Sequence, residues 1–253
     1  MSSEEGLYLY GIIPTGQEQD FGQIGIGSRG DMVYTLAYQD IAAVISKSPI
    51  IKYHVSRDNV FAHTRVLETV ANDYTVLPIR FCTIAKNEEM IINRLLKTRY
   101  QEFIQLSREM KGKIELGLRA RWKNMDAIFA EVVEENAPIK RLKEASLREK
   151  DKQKKYASSI KIGEMVQKAL EQKRTHETRA LLETVRPLSM DYKESQLYGD
   201  MNLFNAAFLV DQAKEKEFDQ RLDELQKKLQ DRTLLIYTTS VVPYSFVELV
   251  VKW

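Results

Sequence analysis

Apolar and polar positions along this 253-residue chain change period from segment to segment, and the changes mark out its elements. Residues 7–13, Leu7-Tyr-Leu-Tyr-Gly-Ile-Ile13, are apolar on both faces and stop at Pro14, which predicts a strand inside a sheet. A Gly-rich loop follows. Residues 32–38 and 41–46 are rich in Tyr and β-branched residues and are separated at Asp40, the pattern of a hairpin. Ser56 is suited to N-cap a helix with Asp58 in its first turn, and Val60, Leu67, Ala71 and Tyr74 recur along it at helical spacing. Residues 76–84 read as the next strand. Proline cannot donate to a ladder, so Pro78 puts that strand at an edge or marks its start. Asn87 opens a second helix whose buried face is Ile92, Leu95, Phe103, Leu106 and Met110, with a break near Tyr100.

Lys113–Trp122 alternates without a fault. Ile114, Leu116, Leu118, Ala120 and Trp122 point one way and polar residues the other, which predicts a half-buried strand. Asn124 caps a helix with the apolar face Met125, Ile128, Phe129, Val132 and Val133, and Pro138 ends or kinks it. Residues 140–186 then carry a thin stripe, Tyr156, Ile160, Val166 and Leu170, continued by Leu181 and Val185. No apolar residue occurs in 148–155, so the stretch reads as a long solvated helix or a kinked helical pair, only partly packed. Pro187 stops it. A weak edge strand over 190–197 and a central strand over 201–210 come next. Asp211 caps a helix with the stripe Phe218, Leu222, Leu225 and Leu229. Strands over 234–242 and, beyond Pro243, 246–253 complete the chain.

The predicted fold class is α+β in two domains: an N-terminal α/β-sheet domain over 1–111 and a C-terminal domain over 112–253. The second has the order β-α-β-β-α-β plus a final strand, a modified ferredoxin-like arrangement whose first helix is greatly lengthened. The extended, coiled-coil-like helical segment spans 124–186.

Charge changes this picture in one place. The whole chain has 38 Lys and Arg against 36 Asp and Glu, a net of +2, too balanced for a general nucleic-acid binder. Residues 140–186 alone hold 14 Lys and Arg and 7 Asp and Glu, so a +7 segment sits against a −5 remainder. That segment has two readings: a solvated helix face, or a surface for an acidic partner, of which RNA is a special case. The single cysteine, Cys82, excludes an internal disulfide and fits a reducing compartment. The start is short and acidic rather than signal-like, and apolar runs reach five residues where a membrane helix needs about 20. A cytoplasmic location with no membrane partner is expected.

Candidate chemistry is sparse. Gly25-Ile-Gly-Ser-Arg-Gly30 matches GxGxxG, but it runs into strand-like residues and not a helix, so no N-terminus would meet a phosphate. His54, His63 and His176 lie at no metal spacing. Cys82 lacks a CxxC motif or a nearby His and reads as a small buried hydrophobe. The adjacent pairs Glu88/Glu89 and Glu134/Glu135 would splay by about 100° on a helix. No catalytic residue, cofactor or metal site is expected, and the protein is not expected to be an enzyme. Arg80, between Ile79 and Phe81, is either held in a structural ion pair or a recognition residue.

Four segments in order carry a resemblance: Leu7-Tyr-Leu-Tyr-Gly-Ile-Ile-Pro14, Val76-Leu-Pro-Ile-Arg-Phe-Cys-Thr-Ile84, Leu203-Phe-Asn-Ala-Ala-Phe-Leu-Val-Asp211 and Pro243-Tyr-Ser-Phe-Val247. From residue 7 to the end the chain resembles the gas vesicle protein F/L family (GvpF/GvpL). The family's RFGT reads Arg80-Phe-Cys-Thr83 here, and its closing TGPxPPYxFV lacks the Gly-Pro. The resemblance implies a minor accessory or structural protein of gas vesicle assembly, chaperone-like or nucleating. It would bind the small hydrophobic shell protein (GvpA) and other accessory proteins, and locate with gas vesicles. The alternatives are a ferredoxin-like small-molecule-binding protein and an RNA-binding module using the basic helix. A sheet edge could cover an apolar partner strand. Three edges are expected: the Pro78 strand, Lys113–Trp122 and the C-terminal strand ending in Trp253. Pro78, Arg80, Phe81, Tyr244 and Phe246 are the partner-binding candidates, with plain core as their other reading.

Overall fold

A strand that is apolar on both faces needs cover on both, and β1 (Glu5–Ile13) receives it. The computed structural model describes residues 4–253 and places β1 in a five-stranded sheet of order β2-β3-β4-β1-β5. The other strands are β2 Asp20–Gly22, β3 Val33–Tyr38, β4 Ile41–Pro49 and β5 Leu77–Ala85. The predicted hairpin is β3–β4, antiparallel from Val33↔Ser46 to Tyr38↔Ile41. On one face Leu7, Leu9 and Ile12 join Ile41, Ala43 and Ile45. Helices α2 (Glu88–Ile91) and α3 (Tyr100–Met110), with a π turn over Ile92–Leu96, cover them through Ile91, Leu95, Leu96 and Phe103. On the other face Tyr8, Tyr10, Ile13, Ala42 and Val44 meet Val66, Leu67 and Val70 of α1 (Arg57–Ala71).

Ser56 caps α1 as predicted, its hydroxyl accepting from the Asn59 amide at 3.3 Å. The buried stripe of α1 is His63, Val66, Leu67 and Val70, not the expected run through Val60, which is exposed. The helix is rotated so that His63, which looks polar in sequence, enters the core. The predicted break before Tyr100 falls at Arg99, where the backbone leaves helical geometry (φ −110°, ψ 19°).

The described residues divide into two compact units. One holds the chain up to Leu116 with Leu209–Ala213 and Thr239–Trp253; the other holds Gly117–Phe208 and Lys214–Thr238. A second sheet has the order β7-β8-β6-β9, with β6 Lys113–Trp122, β7 Asp191–Glu194, β8 Asn202–Asp211 and β9 Thr233–Ser240. Helices α4 (Met125–Glu135), α5 (Ala137–Arg148) and α6 (Lys152–Val185) lie between β6 and β7, and α7 (Glu215–Leu229) between β8 and β9. Counted along this segment the strands lie in the order 2-3-1-4, the ferredoxin-like order, with the first crossover lengthened to three helices.

Four expectations change here. The alternation of β6 is real, but β6 lies between β8 and β9 and is not an edge. Residues 246–253 keep alternating burial, with Val247 and Leu249 inside, yet form no strand; among the described residues one bridge, Ile79↔Leu249, is their pairing. Asp211 caps a 3-10 turn over Gln212–Lys214 that precedes α7, its carboxylate accepting from Ala213 at 2.9 Å. Tyr156 and Ile160 are exposed rather than packed. Pro138 sits in the first turn of α5, where proline is tolerated because no intrahelical bond is lost. The apolar-free centre of the basic segment is the break between α5 and α6.

A charged cluster fixes the C-terminal half of α6 within its unit. Arg232 pairs with Glu131 of α4 and Glu177 of α6, both at 2.7 Å, and Trp122 donates to Glu177 at 2.7 Å. Lys173 adds bonds to Glu131 and Glu135 at 3.1 and 2.8 Å. Hydrogen bonding to Arg232 holds the Glu131 carboxyl down at about 2.

Candidate functional site

The edge strand β5 departs from a regular ladder where the site candidates lie. Its pairing with β1 runs Leu7↔Ala85, Tyr8↔Ile84, Leu9↔Thr83, then jumps to Gly11↔Pro78. One residue of β1 therefore faces four of β5, Ile79, Arg80, Phe81 and Cys82, which leave the ladder as a wide bulge. Cys82 adopts φ +65°, a conformation that costs a residue with a Cβ about 1–2 kcal/mol. It is half-buried with a strained backbone, which corrects its reading as a small core hydrophobe. A glycine at this position would meet that backbone without strain.

What holds the bulge is a relay beneath it. The Cys82 amide donates to the Tyr8 hydroxyl at 2.8 Å, and that hydroxyl lies 3.1 Å from His63 Nδ1. With one lone pair of the phenol oxygen occupied by Cys82, its proton goes to Nδ1. His63 also hydrogen-bonds the Ile79 backbone. His63 thus ties both ends of the bulge to α1. Burial pushes its pKa down to about 4, against the smaller upward effect of that Ile79 bond, so the ring is neutral. Tyr10, Tyr53 and Phe81 enclose the pair, with ring centroids 4.8 to 6.5 Å from Tyr8. Burial likewise pushes the Tyr10 hydroxyl up to about 12 and raises that of Tyr8. The packing reading of His63 stands, with a bridging role that spacing alone does not reveal.

Arg80 is exposed and has no ion-pair partner among the described residues, so the structural ion pair is not formed. Its amide donates to the Leu249 carbonyl at 3.1 Å. Pro78 is buried, and Phe81 is half-buried against Tyr8 and His63. Tyr244 packs on the α1 face of the sheet and Phe246 on the α2–α3 face. The turn between them is closed by the Phe246 amide on the Pro243 carbonyl and anchored by Glu115, which accepts from the Ser245 amide and hydroxyl at 2.6 and 2.7 Å. The C-terminal segment thus meets the β5 edge at Leu249, while Tyr244 and Phe246 lie on opposite faces of the sheet.

A neighbouring feature was not apparent from the sequence. The Tyr53 amide donates to Cys82 Sγ at 3.3 Å, which brings the 50–56 loop to the bulge. That loop and the first turns of α1 expose Ile51, Val55, Val60 and Phe61, with Val55 84% and Phe61 67% accessible. Four apolar side chains are thus exposed within eleven positions of the chain, and exposed apolar surface is a mark of interaction sites. The available signal was Val55 beside the Ser56 cap and Phe61 on the polar side of the α1 stripe. The GxGxxG segment folds as a 3-10 turn over Ile26–Ser28 and leads into β3, with no helix to receive a phosphate. Among the described residues, no three His, Cys, Asp or Glu gather so as to hold a metal ion, and no helix is long and apolar enough to cross a membrane.

Comparison with known proteins adds the following. The model of the family described as "Gas vesicle synthesis protein GvpL/GvpF" matches residues 6–248. Gas vesicle protein F of Microcystis aeruginosa is 26% identical over 247 residues, covering 97% of this chain and 99% of that protein. Gas vesicle protein F of Nostoc sp. is 25% identical over 246 residues, covering 96% and 98%. The crystal structure of GvpF from Anabaena sp. superposes with a TM-score of 0.83 at 24% identity, covering 98% of this chain and 99% of that one, a likeness of fold.

Proposed function

Because the chain belongs to the gas vesicle synthesis protein GvpL/GvpF family, whose role in gas vesicles is accessory, we propose that it acts by binding the small apolar shell protein before assembly. It would shield a segment of that protein at the β5 edge and the apolar corner beside it. The observation that carries this reading is the exposure of Ile51, Val55, Val60 and Phe61 next to a bulged edge strand. Outside its ladder with β1, β5 makes one backbone bond among the described residues, from Arg80 to Leu249. Its remaining outward groups can pair with an added strand, while the corner receives apolar side chains. An unassembled apolar subunit gains by such cover, at about 25 cal/mol for each Å² removed from water.

The test is capture of the co-expressed shell protein by the tagged chain. Val55→Ser with Phe61→Ser, and separately Arg80→Ala with Phe246→Ala, are compared with a distant control, Lys227→Ala. Exposed Val55 and Phe61 can be changed without loss of fold, so their pair should lose most capture at an unchanged melting temperature. Undiminished capture by both double variants would remove this edge as the site.

A further inference from the structure

The long helix α6 carries one continuous seam. Tyr156, Ile160, Gly163, Gln167, Leu170, Arg174, Glu177 and Leu181 follow one another at spacings of 4, 3, 4, 3, 4, 3 and 4, the rhythm of a helix–helix seam. The helix has 34 residues, about 51 Å at 1.5 Å per residue. Only the C-terminal half of the seam is used internally. Leu170 and Leu181 are buried, and Glu177 accepts from Trp122 and Arg232. Helix α5 packs on α6, and the N-terminal half of the seam lies open. Tyr156 is 70% and Ile160 49% exposed, Gly163 and Gln167 are exposed, and a Cβ added at Gly163 would meet nothing within 4 Å. Leu147, late in α5, is 71% exposed beside the same break.

Charge says what fits there. Residues 140–168 hold ten Lys and Arg and four Asp and Glu, a net of +6, and of these ten cations only Lys140 is in an ion pair among the described residues. Two such segments brought within a Debye length of about 8–10 Å would repel, which disfavours a second copy of this arm as the occupant. We propose that the N-terminal half of α6 is a docking seam for an amphipathic helix of a partner protein, apolar at 3-4 spacing and acidic on its flanks. Tyr156 and Ile160 supply the apolar knobs, Gly163 lets the partner backbone approach closely, and the lysines select the acidic flanks. This surface is independent of the β5 edge and does not rest on where the shell protein binds.

The probe is a labelled synthetic helix of three heptads with Leu at the two seam positions and Glu at most others. It is titrated by fluorescence anisotropy into the full chain at low and physiological salt. A control peptide has the same composition with its leucines scrambled off the seam. The seam peptide should bind saturably and at least tenfold more tightly than the scrambled one. Tyr156→Glu with Ile160→Glu should weaken it at least tenfold with an unchanged melting temperature, and Lys152→Glu with Lys155→Glu should weaken it and flatten its salt dependence. Equal binding of both peptides would overturn the proposal by reducing the surface to bare charge. So would insensitivity to the Tyr156/Ile160 pair, tighter binding of anionic phosphatidylglycerol vesicles or single-stranded RNA, or an arm-mediated dimer abolished by the Tyr156/Ile160 pair.

Discussion

Lowering the pH should loosen the first unit through one side chain, His63. In the folded chain it is neutral, its pKa brought down to about 4 by burial, whereas an unfolded histidine titrates near 6.5. The unfolded state therefore binds a proton over the window between those values and the folded state does not. The stabilisation is fully present above about pH 6.5 and falls as the pH drops toward 4. Over the whole window the loss approaches 1.4 kcal/mol per unit, and at pH 5 it comes to about 2 kcal/mol. Protonation would also put a second donor on a ring that now accepts from Tyr8, so the relay to Cys82 would break with it. The matched variant is His63→Gln, whose amide can still hydrogen-bond the Ile79 backbone. It should cost about 1–2 kcal/mol at pH 7.5 for its imperfect hydrogen bonds but remove the histidine titration. The two proteins should converge in stability near pH 5. Urea-dependent hydrogen exchange of the β1 and β4 amides, read by mass spectrometry at pH 7.5 and 5.0, reports this unit alone. If wild type and His63→Gln lose the same stability between the two pH values, the buried neutral histidine is not the cause and the relay is wrong.

Two other perturbations test the local arguments. At Cys82, glycine should change stability by less than about 1 kcal/mol, because relief of the left-handed backbone offsets the lost Sγ contact with Tyr53; valine, β-branched at φ +65°, should cost about 2 kcal/mol or more in urea unfolding. Equal tolerance of both would show that the bulge does not constrain this backbone. In the second unit, Arg232→Gln should cost about 1–3 kcal/mol by leaving Glu131 and Glu177 short of a cation. Because the Glu131 carboxyl is held near 2, mainly by Arg232 with Lys173 adding to it, the stability it contributes is present above about pH 4.5 and lost as the pH falls toward 2, and the variant should show a smaller acid limb when unfolding is followed by Trp122 fluorescence in a Trp253→Phe background.

How much of this was legible depends on what a pattern can report. Period-two alternation shows that one face of a segment is buried, so β6 was placed to the residue, but residues 246–253 alternate just as well without being a strand. Alternation names faces, and only a neighbour supplies a ladder. In the same way the 3-4 spacing of Tyr156, Ile160 and Leu170 is genuine, while the burial inferred from it holds only where α6 has a sheet beneath it, from Leu170 onward. Pro78 did announce an edge, because its missing donor is a local fact. The relay that shapes that edge joins residues 8, 63, 79 and 82, and no local pattern links them. Its one trace in the sequence is Cys82 where the resemblance implies a glycine, the mark of a backbone that a side chain fits poorly.

The two surfaces ask for opposite physics, and that makes them separable. The apolar corner at β5 gains from the removal of water, which is insensitive to ionic strength at moderate salt, and its exposed cations, Lys52, Arg57 and Arg80, add little. The seam on α6 is flanked by unpaired lysines whose attraction falls off over a Debye length that shrinks from about 30 Å at 0.01 M to about 8 Å at 0.15 M salt. A partner held at the corner should stay bound across that range, and one held on the arm should weaken steeply. The near-neutral total of +2 conceals this division, since it sums a +7 segment with a −5 remainder. An accessory protein with two chemically unlike surfaces can hold two partners at once without their competing, and a salt titration of each captured partner assigns it to one surface or the other before any residue is changed.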